Sequence, residues 1–334
     1  MEAVELFPLV AVRPPQYACG SAATEIQSEK MGEEDGVHYG VSVPNFGVGV
    51  DARAITELAR EAEEAGWDGF FLWDHLLAFS PGPVPVVDPW VALSAVALST
   101  SRLRLGPMVT PLPRRRPGKL ARETVSLDHL SDGRLILGVG IGAMPYEYDY
   151  LGEEADTRVR GAMLDEGLEV LTGLWSGEPF GHRGEHYRVA GDPPEQDWRA
   201  VFYPPPLQRP RIPIWVGGTW PIKAPFRRAA RWDGVFPLKV EGGRIVPMTP
   251  EDAQEVAHYI AAHRAGDGPF ELVVAGETPG DDRKKAARIM SAFEEAGVTW
   301  WIESIDTWRF GWTEGETWPS EEMRHRVRRG PPEA

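Results

Sequence analysis

Apolar residues recur along this chain in two alternating rhythms. Short apolar runs end in glycine or polar residues, and each is followed by a longer segment with apolar positions at three- and four-residue spacing. Residues 103–142 show the pattern most clearly. An apolar run ends at Thr110, and a basic, proline-rich loop follows over 111–117. A helix is then predicted from near Gly118, with Leu120, Ala121, Thr124, Leu127 and Leu130 on one face. Asp132 and Gly133 stop it, since glycine accepts the left-handed cap that other residues resist. A second run, 135–139, dissolves into Gly138, Gly140 and Gly142. Two such runs joined by a crossover helix make a βαβ unit.

The rest of the chain repeats this unit. Strands are predicted over 38–44, 69–73, 103–109, 135–139, 212–216, 234–238, 271–275 and 298–302. Helix starts are marked by Asp51, by Asp88 before Pro89, and by Thr249 before Pro250, Glu251 and Asp252. Further helices are predicted over 158–175, after Pro221, over 281–296 and over 320–329. The loop over 143–156 reads as irregular. Residues 177–211 read as an insertion between strands 4 and 5, with a hairpin pairing 186–189 with 201–202. This count favours an α/β fold, a (β/α)8 TIM barrel, over an open doubly wound sheet. A single barrel domain is expected over 37–330, preceded by a loosely ordered tail over 1–36.

Composition narrows the function. The formal net charge of −15 argues against nucleic acid or an anionic membrane as partner. No stretch approaches the ~20 apolar residues of a membrane helix. Cys19 is the one cysteine, which excludes an intrachain disulfide and a cysteine metal site and fits a cytoplasmic protein. The apolar segment 6–12 follows Glu2 and Glu5 rather than basic residues, unlike a signal peptide, and Met31 is an alternative start.

In a barrel of this kind, chemistry belongs at the C-terminal strand ends. That rule selects Asn45, Phe46, Asp74, His75, Thr110, Gly140, Gly142, Gly217, Gly218, Lys239, Glu277, Glu303 and Ser304. Asp74-His75 is the sharpest pair: one residue can face the mouth while the other anchors the loop, and histidine suits proton exchange. A structural loop anchor is the competing role. Gly217-Gly218 before a helix suits a phosphate group, although such a pair is more often a simple turn. Arg114, Arg115 and Arg116 read as a solvated charge run or as partners for phosphate or carboxylates. The spacing of Gly138, Gly140 and Gly142 fits a dinucleotide fingerprint poorly, because a loop follows rather than a helix. Glu277 and Glu303 keep open a barrel hydrolase working through rim carboxylates. No clustered ligand spacing suggests a metal.

The chain resembles the bacterial luciferase-like monooxygenase superfamily, whose members use FMN or the deazaflavin coenzyme F420. The resemblance rests on YGVSVPNFG (39–47), AEEAGWDGFFLWDHL (62–76), residues 103–142, MLDEGLEVLTGLWSGEP (163–179), IPIWVGG (212–218), AARWDGVFPL (229–238) and AGVTWWIES (296–304). It implies a flavoprotein-type oxidoreductase acting on a small organic substrate, with F420 or FMN as cofactor. The ring would lie near Thr110 and Gly140, with Asn45 and Gly142 also at the cofactor. The phosphate would meet Gly217, Gly218 and Thr219. His75, with Asp74, would be catalytic. A flavin or F420 reductase and a homodimer partner come with the resemblance, as does a cofactor-binding protein without turnover. The resemblance also implies contacts from the loop after strand 4, Glu147 among them; relatives often carry an aromatic directly after the strand 4 glycines, where Ala143-Met144-Pro145 stand in this chain.

Overall fold

The computed structural model describes residues 36–332 apart from 80–81, 190–200, 267, 307 and 311–317. The tail expected over 1–36, with Cys19 and Met31, lies outside the described residues except for Gly36. β1 (His38–Val43) leads to α1 (Ala52–Glu64), and β2 (Gly69–Leu72) to α2 (Pro89–Ser99). β3 (Arg104–Pro107) and its continuation β4 (Thr110–Pro111) lead to α3 (Pro117–Leu130). β5 (Leu137–Gly140) is followed by the one-turn α4 (Tyr146–Asp149) and the long α5 (Thr157–Trp175). A small hairpin, β6 (His182–Arg183) with β7 (Arg188–Val189), precedes β8 (Ile214–Trp220) and α6 (Lys223–Ala229). Then come β9 (Gly234–Glu241), β10 (Arg244–Val246), α7 (Pro250–Ala261), β11 (Glu271–Gly276), α8 (Arg283–Glu295), β12 (Trp300–Ser304) and α9 (Glu321–Arg328).

Parallel pairing runs β3–β2–β1–β12–β11–β9–β8–β5–β4. Because β3 and β4 are consecutive pieces of one strand, the ring closes, as the strand–helix rhythm predicts for a (β/α)8 barrel. Local signals set the helix starts. The Asp51 carboxylate accepts from Ala54 N at 2.8 Å, and Thr249 and Asp252 form a reciprocal capping box. Gly133, at φ +78°, turns the chain after α3.

Period-2 alternation divides the core. Residues pointing outward from the strands, such as Val41, Phe70, Leu72, Val216 and Val274, pack under the helices. Those pointing inward form a separate cluster that includes Phe71, Met108, Ile136, Trp215, Phe236, Trp300 and Ile302. The rings of Phe71, Trp215 and Trp300 meet at centroid distances of 5.3–5.9 Å and plug the barrel.

The structure departs from the sequence pattern in four places. Strand 5 does not end at Val216: β8 continues to Trp220, because Gly217 to Trp220 stay in register with Phe236 to Lys239 of β9. Strand 3 is interrupted at Met108–Val109, a cis peptide. The loop over 143–156 contains α4, which buries Glu147 and Tyr148. The hairpin of the insertion pairs His182–Arg183 with Arg188–Val189, not 186–189 with 201–202. Glu166, from α5, accepts from the backbone of His186 and Tyr187 and from the His182 ring, which fixes that register.

Candidate active site

Below the mouth the inward positions are aromatic; at the mouth they are small. Gly40 points inward, where an added Cβ would lie 2.9 Å from Phe71, so Ser42, two residues on, points the same way. Val109 is cradled by three glycines. An added Cβ would meet the Val109 methyls at 3.3 Å from Gly138, 2.8 Å from Gly140 and 3.1 Å from Gly217. Side chains at these glycines would crowd Val109, so Val109 and the glycines form a floor without longer side chains between β4, β5 and β8. Thr219, two residues beyond Gly217 on the same strand, faces the same side.

Beside this floor lies a chain of charges. The Asp74 carboxylate is enclosed. It accepts from the Thr110 hydroxyl and from Arg115 Nη2 at 2.5 Å, and Arg114 Nη2 lies 3.3 Å from its other oxygen. The Thr110 hydroxyl in turn accepts from Arg115 Nε at 2.8 Å. Arg114 continues to Glu147, with Nη1 3.0 Å from Oε2, while Nη2 donates to the Asp74 carbonyl at 2.7 Å. Glu147 also accepts from Leu76 N at 2.5 Å and Leu77 N at 3.2 Å. The last member is His75, whose Nδ1 lies 3.3 Å from Glu147 Oε2 and whose side chain remains 18% exposed.

Burial pushes the Glu147 carboxyl up, but the hydrogen bond and charge of His75, the Arg114 guanidinium and the Leu76 N–H together outweigh it. The group sits at about 2. It is therefore an anion near neutrality and can only accept. The proton between the two side chains belongs to His75 Nδ1, which leaves Nε2 as the exchangeable nitrogen of the ring. Three aromatic rings flank it. Phe46 and Trp73 stand edge-on to the imidazole at 5.5 and 6.0 Å, and Trp308 stacks on Trp73 at 5.9 Å.

The sequence-selected residues separate into three kinds. Asp74, His75, Thr110 and Arg114–Arg115 come together as one network. Gly140, Gly217 and Thr219 line the floor beside it. Asn45, Gly142 and Gly218 do structural work. The buried Asn45 side chain donates to the carbonyls of His75 and Val87 at 2.9 and 2.8 Å, and accepts from His75 N at 3.1 Å. Gly142 takes φ +82° under Tyr148, whose hydroxyl donates to Ile141 O at 2.8 Å. Gly218 points to α6, where a Cβ would lie 2.2 Å from Pro225. The expected glycine turn before a helix N-terminus is thus extended strand, because β9 goes on pairing with it. His129 binds Pro205 O at 2.8 Å, a structural role. Lys239 is held by Asp252 at 2.8 Å.

The hydrolase reading fails on Glu303. It is fully enclosed and accepts from Thr278 N and Oγ1, Trp301 Nε1, Arg309 and Arg326, at 2.7–3.1 Å. No oxygen of it faces the mouth as a free acid or base. Glu277 lies 3.7 Å from Arg309 and is 58% exposed. Among the described residues no cluster is suited to a metal, and no helix is long and apolar enough to cross a membrane.

Sequence reasoning passed over Val109 and Arg160, and reached Glu147 only as a contact of the loop after strand 4 that the resemblance implies. Arg160, in the first turn of α5, is 4% exposed, with its guanidinium 3.7 Å over the Tyr148 ring. Its Nε and Nη1 are buried without a hydrogen-bond partner in the protein. A buried cation with open donors is costly unless something accepts from it.

Comparison with known proteins agrees with this architecture. The family described as luciferase-like monooxygenase matches residues 31–327. An F420-dependent glucose-6-phosphate dehydrogenase of Nakamurella multipartita is 33% identical over 186 residues, 55% of this chain and 50% of that protein. The oxygenase component of a flavin-dependent trigonelline monooxygenase of Acinetobacter baylyi is 30% identical over 197 residues, 59% of this chain and 48% of that one. The chain thus spans about half the length of these curated relatives. An F420-dependent secondary alcohol dehydrogenase, solved with an F420–acetone adduct, superposes with TM-score 0.66 at 16% identity. That superposition covers 88% of this chain and 97% of the other.

Proposed function

This chain belongs to the luciferase-like monooxygenase family, and on that footing we propose that it is an oxidoreductase whose barrel mouth holds a flavin-type cofactor, F420 or FMN, against a small organic substrate. Two features fit such a group. The glycine-cradled Val109 leaves a flat seat between β4, β5 and β8. The unpartnered donors of Arg160 suit an anion such as the cofactor phosphate, and the backbone of Gly217, Gly218 and Thr219 on β8 is the position the resemblance assigns to that group. Bound F420 would supply a hydride donor or acceptor, and reduced FMN with oxygen would supply oxygen transfer.

The residues at the mouth do the rest. Asp74, locked by Arg114 and Arg115, fixes the start of the β2 loop. Glu147 holds His75 by Nδ1, so that Nε2 takes the proton of a substrate hydroxyl during oxidation and returns it during reduction. This His75–Glu147 pair at the edge of the seat is the observation that carries the proposal. It favours hydride transfer, which needs a partner for the hydroxyl proton, and so favours F420. FMN would call for a partner reductase. The single cysteine accords with a cytoplasmic setting, and a homodimer is part of the same family reading.

The test is a split between two constants. His75→Ala should lower kcat far more than it weakens equilibrium binding of the cofactor. Equal losses in both would remove His75 from catalysis.

A further inference from the structure

We infer that the substrate of this site is an uncharged small molecule bearing an aromatic or other flat ring, seated against Trp308 and Trp73 beside His75. The inference rests on the oxidoreductase reading above and adds the substrate class to it.

The first support is the wall of the mouth. Trp73 and Trp308 are nearly parallel, 18° apart at 5.9 Å, and Phe46 stands edge-on to both at 5.9 Å. Trp73 is pinned by its Nε1 hydrogen bond to Ser42 Oγ at 2.9 Å, so the stack has a fixed base. Trp308 remains 57% exposed, so the aromatic wall beside His75 keeps apolar surface open to a flat ring. Apolar surface continues along the loops that carry His75 and Glu147. Leu76 is 39% and Phe79 45% exposed, and Phe79 meets Tyr146 edge-on at 5.3 Å. Several large apolar side chains exposed on neighbouring rim loops suit ligand contact.

The second support is electrical. Each charged side chain of the network beside His75 is matched within it: Arg115 by Asp74, Arg114 by Asp74 and Glu147, and Glu147 also by His75. An ionised substrate would find neither sign offered by this network and would lose its hydration against aromatic faces. A neutral ring loses little hydration and gains the stack. This separates the chain from a sugar-phosphate enzyme, although relatives with that name match it.

The test is isothermal calorimetry with four probes: acetophenone, benzoate, benzyltrimethylammonium and glucose 6-phosphate. Each is titrated into the protein before and after saturation with whichever of F420 or FMN binds. Once the cofactor occupies Arg160, acetophenone should bind at least tenfold more tightly than either charged ring, and glucose 6-phosphate should give no saturable heat. Trp308→Ala should weaken acetophenone at least tenfold, with cofactor affinity and Tm unchanged. A charged probe binding as tightly as acetophenone, no saturable acetophenone binding, or an indifferent Trp308→Ala would each overturn the inference. Failure of the oxidoreductase reading has a different signature, no binding of either cofactor. Acetophenone binding to the unloaded protein, and its loss in Trp308→Ala, still decide the substrate class in that case.

Discussion

Glu147 and Glu303 are both enclosed carboxylates near the C-terminal strand ends, each accepting from backbone N–H groups and paired with arginine, Glu147 with Arg114 and Glu303 with Arg309 and Arg326. Glu303 is closed on itself. Arg326, which it binds, also donates to Thr278 Oγ1 at 2.9 Å and Gly330 O at 2.8 Å, so the cluster ties α9 to the ends of β11 and β12. Glu147 ends instead on His75, a titratable ring still open to the mouth. Burial and ion pairing are alike in the two places; what differs is whether the last member of the network can reach a ligand. A buried rim carboxylate is therefore no sign of catalysis by itself, and the membership of its network decides.

The largest effect expected from breaking this comparison is on stability. Glu303→Gln leaves Arg309 and Arg326 without their anion and should cost about 3–5 kcal/mol in denaturant unfolding. The protein that remains folded should keep its cofactor affinity. Arg114→Leu attacks the other cluster. Its cost should be about 3 kcal/mol, since Arg115 and His75 stay to share Asp74 and Glu147. Here, unlike Glu303→Gln, turnover per folded molecule should also fall. Equal kinetics in the two folded variants would mean that the clusters do the same work.

A smaller effect is legible in acid. The Glu147 carboxyl is depressed to about 2, so its contribution to stability is complete above the unfolded value of about 4.3 and is lost as pH falls through about 2. The Tm gap between the wild type and Glu147→Gln should shrink as pH falls from about 4.3 to 2. A gap that widens on acidification would contradict the ion pairing described. The smallest effect belongs to Glu277→Gln. An exposed residue 3.7 Å from Arg309 should change stability by less than about 0.5 kcal/mol and leave turnover alone. Loss of activity there would reopen the carboxylate reading.

The barrel was legible because each strand–helix repeat carries its own signals: the period change, Asp51, Asp88 and Thr249 at helix starts, and glycine at helix ends. Asp74, His75 and Thr110 were legible because they leave strands at the rim. Glu147 was reached only through the resemblance, and its partners were not legible, because it lies on one helical turn inside a loop with no periodicity and they come from the loops after β2 and β4. Gly217 and Gly218 misled for a related reason. Glycine pairs normally mark turns, but here Val109 and Pro225, distant in sequence, require the missing side chains. The sequence favoured an ion-pair role for Glu303 over a catalytic one, and the neighbours the fold delivers agree.

The most direct test of the account is a fluorescence titration of the purified apoprotein with F420 and with FMN, on the wild type and Gly140→Val in parallel. The account predicts saturable binding of at least one cofactor at micromolar concentration, F420 the tighter, and its loss when a side chain fills the seat beside Val109. Binding of neither cofactor, or affinity that Gly140→Val leaves intact while the variant stays folded, would contradict it.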